Sequence, residues 1–133
     1  MASVIQLPIP AVTPFPLQEI VGRRGGVITT WLSSDPGSRA KLRIRVGNLR
    51  RMRRTDWTDK VFKNLGAGLS EIKWKYGDVP YRALGCDHEG YFVLVIGCTH
   101  KMKAYNPRNC IDTARRLIAE VKNGQHISIR FEP

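Results

Sequence analysis

The stretch "SEIKWKYGDVPYR", Ser70 to Arg82, restricts the fold of this chain more than any other. Charged and apolar residues alternate in it, so Glu71, Lys73 and Lys75 share one face and Ile72, Trp74 and Tyr76 the other, the two-residue period of a strand. "YGDVP" then reads as a turn, and "DHEG" as a second one. Three strands, at about Leu69–Lys75, Tyr81–Cys86 and Tyr91–Gly97, should therefore form antiparallel hairpins. The last of them, within "YFVLVIG", is apolar on both faces and should be the most buried strand of the sheet.

Helical patterns flank these strands. Ser34 or Asp35 can cap a helix whose first turn takes Pro36, because proline at the first helical position gives up no needed donor. Leu42, Val46, Leu49 and Arg53 fall on one face of it, which predicts an amphipathic helix to about Met52 with basic outer faces. A shorter helix, Val27 to Leu32, precedes it and ends at "SSDPG". Arg53 to Asp59 then links, with Trp57, Val61 and Phe62 docking the linker onto the core. After the strands, a polar loop "CTHKMKAYNPRN" leads to a helix from about Pro107 to Lys122. Its inward residues should be Ile111, Ala114, Leu117, Ile118 and Val121, with Asn123-Gly124 as its stop.

The chain is one domain's worth of residues. Its first segment, "MASVIQLPIPAVTPFPLQE", holds four prolines, too closely spaced for a helix or a central strand. We read residues 1–18 as a proline-rich arm, 19–123 as the folded domain and 124–133 as a tail whose alternation, "QHISIRFEP", allows a last strand. Glu19 to Gly22 reads as a short edge strand.

Lysine and arginine number 22 against 11 acids, a formal charge of +11, and the pI is near 10.1. Such a balance points to a polyanionic partner, nucleic acid or ribosome before an anionic membrane. The charge is uneven: residues 1–22 contain no lysine or arginine, whereas Arg23 to Arg54 is dense in them and ends in "RRMRR". Arg50, Arg51, Arg53 and Arg54 are candidate RNA contacts, and equally the solvated end of a helix. Three cysteines, Cys86, Cys98 and Cys110, cannot all pair within one chain. With no charged-then-apolar leader at the start, a reduced, cytoplasmic setting fits best. No apolar run approaches the roughly 20 residues that span a bilayer, so no membrane partner is expected.

"CDH" at Cys86 to His88 and "CTH" at Cys98 to His100 together resemble a four-ligand zinc set. A hairpin turn at Asp87 to Gly90 would pair Cys98 near Val79 or Pro80, about six residues or roughly 20 Å along the strand from Cys86. That separation argues against zinc, and neither metal nor cofactor is expected. No phosphate-binding glycine loop, nucleophile elbow or paired-carboxylate site is visible.

Taken as a set, "WLSSDPGSRAKL", "LGAGLSEIKWKYGDVPYRAL", "FVLVIGCTHK" and "NPRNCIDTARRLI" resemble the RelE/ParE toxin superfamily, in its phage-derived, HigB-like branch, over roughly Val27 to Lys122. The resemblance implies an α+β fold: a small twisted antiparallel sheet with two N-terminal helices and a C-terminal helix packed on it. It also implies the toxin of a type II toxin–antitoxin system, a ribosome-dependent endonuclease acting on mRNA without metal and neutralised by a HigA-like helix-turn-helix antitoxin. Carried over by position, Lys73 and Lys75 match the basic residues of the first hairpin strand and Arg82 the arginine of the "YR" pair. His100, Lys101 and Lys103 fall in the basic segment after the buried strand, and Tyr105 is a candidate for stacking on a base.

Metal-free RNA cleavage needs a base for the ribose 2′-hydroxyl proton, cations for charge growing on phosphoryl oxygens, and an acid for the departing 5′-oxygen. On the resemblance, Lys73, Lys75, Arg82 and His100 are the catalytic set: Arg82 and Lys75 hold charge, while His100 and Lys73 share proton transfer. Histidine suits that task because its ordinary pKa of about 6.5 lies near working pH. The sequence departs from the pattern at Glu71, where some catalytic relatives carry a lysine. A ParE-like DNA gyrase poison and a non-catalytic, phage-encoded RNA-binding protein on the same scaffold are the alternatives. Arg82 could equally be a structural ion-pair partner of Glu71 or Asp78, and the lysines a solvated strand face.

Overall fold

A computed structural model describes residues 16–58 and 60–133. The chain runs β1 (Leu17–Gly22), β2 (Gly25–Gly26), α1 (Val27–Trp31), α2 (Pro36–Arg50), β3 (Phe62–Gly66), β4 (Leu69–Tyr76), β5 (Val79–His88), β6 (Tyr91–Lys101), β7 (Ala104–Asn106), α3 (Cys110–Lys122) and β8 (Ser128–Arg130). The alternation of "SEIKWKY" becomes β4, which pairs antiparallel with β5 from Ser70↔Gly85 to Tyr76↔Val79. β5 pairs in turn with β6 through a two-residue turn closed by His88↔Tyr91.

The expected small antiparallel sheet is not what forms. The sheet has eight strands in the order β2-β1-β6-β5-β4-β3, with β7 on β6 and β8 on β1, and it is mixed, because β1 lies parallel to β6 from Leu17↔Phe92 to Glu19↔Leu94. Among the described residues strand outweighs helix, 41% to 33%. The proline-dense sequence before β1 conceals this strand, which is no edge: β6 lies on one side and β8 on the other. Leu17 and Gln18, read as part of the arm, belong to β1, and Leu17 is fully buried; the carbonyl of Pro16 before them accepts from the Phe92 amide at 3.1 Å, and residues 1–15 of the arm reading lie outside the described residues. From the tail, Phe131 enters the same core as Leu17.

The helices cover both faces of the sheet. Ile28 of α1 and Leu42, Val46 and Leu49 of α2 pack with Trp74, Ala83 and Leu94 on one face of the sheet. Ala114, Ile118 and Val121 of α3 pack with Leu84, Val93 and Cys98 on the other. A strand apolar on both faces needs cover on both, and the central strands β5 and β6 receive it. Among the described residues no helix is long and apolar enough to cross a membrane.

Local chemistry sets the helix positions. The Asp35 carboxylate accepts from the Ser38 amide at 3.2 Å, and Pro36 occupies the first turn, starting α2. The helix ends at Arg50, so Arg53 lies beyond it and exposed, not on its core face. Buried Glu19 accepts from the amides of Ile28 (2.8 Å) and Thr29 (2.9 Å) and from the Thr29 hydroxyl (2.6 Å), tying β1 to α1. Gly26 is required there, because a Cβ at that position would strike the Glu19 carboxylate. Two indoles are satisfied inside: Trp57 donates to the Leu49 carbonyl and Trp74 to the Ser38 hydroxyl, both at 2.9 Å.

Two irregularities shape the far end of the sheet. The register shifts between Leu84↔Ile96 and Gly85↔Leu94, leaving Val95 as an extra residue on β6. The two-residue turn and this bulge together place Cys98 opposite Arg82, not Val79 or Pro80. The expected polar loop is instead a hairpin, in which β6 runs to Lys101 and returns as β7 through Met102 and Lys103, both in the left-handed region at φ 49° and 66°.

Candidate nucleic-acid interface

β4, β5 and β6 bring the basic residues onto one face. Ile72 and Trp74 of β4 point into the α1/α2 core, so Lys73 and Lys75 point to the face that α3 covers farther along. Arg82 sits between Lys73 and Cys98 in register, and Lys75 lies opposite Pro80. Because Thr99 pairs with Tyr81, His100 is the next position, beside Pro80. Lys75, Pro80 and His100 thus form one row across three strands, which at about 4.8 Å between strands puts Lys75 and His100 roughly 10 Å apart at the backbone.

The same face holds an acid deep inside. Glu71 is 3% exposed, and its carboxylate lies 3.5 Å from Arg82 Nε and accepts from the Tyr105 hydroxyl at 2.7 Å. Arg82 also donates from Nη1 to the Tyr81 carbonyl at 2.9 Å. The guanidinium is therefore an ion-pair partner of Glu71 before it is anything else. Burial, then the bond to Glu71, holds the Tyr105 phenol above its ordinary pKa range, so it stays a donor. His100 meets the Tyr105 ring edge-on, with centroids 4.9 Å apart.

Two hollows adjoin along this end of the sheet. The larger, about 570 Å³, is bounded by Asp78, Pro80, His100, Lys101, Tyr105 and Arg108. The second, about 320 Å³, is bounded by Arg45, Lys60, Lys73, Lys75 and Arg82 around Trp74 and Pro80, and none of the described residues lining it is acidic. Pro80 belongs to both, so the hollows share a wall. Arg45 and Lys60 are the residues that sequence reasoning missed. Arg45 comes from α2 across the sheet edge and Lys60 from the linker before β3, and no local pattern relates either to β4.

Not every basic residue singled out from the sequence reaches this site. Arg54 is committed elsewhere: its guanidinium stacks 3.9 Å over Phe62 and pairs with Asp87 at 3.1 Å. Arg50 faces Glu132 at 3.8 Å. Arg51 and Arg53 are exposed, and Lys103 is exposed at the β6–β7 turn.

No family model matches this chain, and no curated protein or solved structure matches it either. The geometry itself is therefore the ground for a functional reading. Among the described residues no group of three or more His, Cys, Asp or Glu side chains is placed to hold a metal ion. Cys98 is buried instead against Cys110 at the start of α3, and that contact and burial push its thiol pKa upward. What the site presents chemically is a cationic hollow beside an imidazole.

Proposed function

We propose that this protein is a metal-independent endoribonuclease that cuts mRNA on the ribosome, the toxin of a type II toxin–antitoxin pair. It would work in the cytoplasm and be neutralised by the helix-turn-helix antitoxin that the RelE/HigB resemblance implies. The observation that carries the reading is the cationic hollow of Arg45, Lys60, Lys73 and Lys75, free of described acids and sharing the Pro80 wall with the His100 pocket. A phosphodiester seated at Pro80 has Lys75 on one side and His100 on the other. One takes the 2′-hydroxyl proton, the 2′-oxygen attacks phosphorus, and the P–O5′ bond breaks. The other then protonates the leaving 5′-oxygen, and the upstream product keeps a 2′,3′-cyclic phosphate. Lys73, Arg45 and Lys60 hold the charge that grows on the non-bridging oxygens. Arg82 supports the wall through Glu71, in place of the direct transition-state role given to it on the resemblance.

The test is to induce the protein in cells and map RNA 5′ ends across messages, with His100→Ala and Lys75→Ala as comparisons. Cuts on translated messages should be lost from both variants. Undiminished cutting by a folded double variant would overturn the site. Arg82→Ala is the wrong probe, because it strands a buried carboxylate. One observation favours a second reading, a non-catalytic RNA-binding protein: Glu71 neutralises the cation nearest the reacting row. That reading predicts RNA retention without cuts.

A further inference from the structure

The cationic hollow does not end at β4. β3 pairs with β4 only as far as Phe62↔Ile72, with one more bond from the Lys73 amide to the Val61 carbonyl at 2.8 Å. Beyond Lys73 no described residue pairs with that side of β4, so among the described residues the sheet edge is open there. Over this opening the hollow meets a third one of about 190 Å³ on α2, bounded by Lys41, Ile44, Arg45, Asn48, Trp74 and Lys75. Arg45, Trp74 and Lys75 line both hollows, so the two adjoin.

From this adjacency we infer that α2 carries a separate nucleotide subsite, reached by single-stranded RNA that leaves the reaction row over the open β4 edge. The inference rests on the RNA reading above and extends it. Its composition is what an unpaired nucleotide requires: Lys41 and Arg45 for a phosphate, the Asn48 amide for a base edge, and an apolar platform in Ile44. Ile44 is 63% exposed on an otherwise polar helix face, where burial in the protein's own core does not account for it. The three hollows follow one another as the His100 pocket, the β4 pocket and the α2 pocket. A dinucleotide fills the first two, and only a longer strand reaches the third.

The experiment measures binding of 2′-O-methyl RNA, which cannot be cut, by fluorescence anisotropy with a dinucleotide and a hexanucleotide. The double variant Lys41→Glu/Ile44→Asn changes two exposed side chains and should leave the fold intact, as circular dichroism would check. Arg24→Glu, on the β1–β2 turn, is the charge-matched comparison. Hexanucleotide affinity should fall about tenfold or more in the double variant relative to Arg24→Glu, with dinucleotide affinity equal in the two. Equal hexanucleotide affinity in the two variants overturns the α2 subsite while leaving the RNA reading in place. Failure of the wild-type protein to bind the hexanucleotide also overturns the α2 subsite, and the mapping of RNA 5′ ends decides the RNA reading independently.

Discussion

Removing the Glu71 carboxylate would strip the Arg82 guanidinium, whose side chain is only 16% exposed, of its close counter-charge and the Tyr105 hydroxyl of its acceptor. Breaking one side of a buried pair costs about 3–5 kcal/mol. Glu71→Ala should lose stability on that scale in urea unfolding, whereas Lys75→Ala, on an exposed position, should stay within about 0.5 kcal/mol. Tyr105 gives the same cluster a pH signature. Its folded pKa lies above the unfolded value, so its contribution is complete below about pH 10 and is lost as pH rises through the folded value. Urea midpoints should decline at alkaline pH in the wild type and less steeply in Tyr105→Phe. The sequence showed that Glu71, Lys73 and Lys75 share a face, because alternation fixes faces. It could not show that cover is graded along that face, from a buried Glu71 to an exposed Lys75, since Tyr105 provides the cover from more than thirty positions away.

Among the elements, the β6–β7 hairpin stores strain. Met102 and Lys103 occupy the left-handed region that its two-residue turn demands, a conformation that costs about 1–2 kcal/mol for an ordinary residue and little for asparagine or glycine. Met102→Asn/Lys103→Gly should therefore stabilise the protein by about 1–2 kcal/mol in urea unfolding, with unchanged secondary structure by circular dichroism. This hairpin was illegible in the sequence, because "HKMKAY" lacks the Asn-Gly signal by which such turns announce themselves. Where local signals were strong the elements could be read: Asp35-Pro36 opened α2, and alternation delimited β4. The bulge at Val95 had no such signal, and with it the register that places Cys98 opposite Arg82 stayed hidden.

At the scale of the whole molecule, topology was the least readable property. β1 joins the centre of the sheet through contacts with β6 some seventy residues away and with β8 more distant still, and no window of sequence contains such a pairing. The electrostatic character, by contrast, was fully present in composition: a net charge of +11 has to lie on the surface of a chain this small. Binding of single-stranded RNA through Arg45, Lys60, Lys73 and Lys75 should release counterions with a slope of log K against log salt of about −3. A salt titration of oligonucleotide affinity measures that slope, and a value near zero would show that these cations are not in the interface.

The open stretch of β4 has one more consequence. Unpaired amides and carbonyls on a strand invite the strand of another copy, and proteins guard such places with charge, lysine above all. Lys73 and Lys75 project from this stretch, with Lys60 and Arg45 beside it, so a second molecule approaching in register would bring like charges together. The lysines that make the hollow attractive to a polyanion would thus also oppose pairing of two copies through this edge.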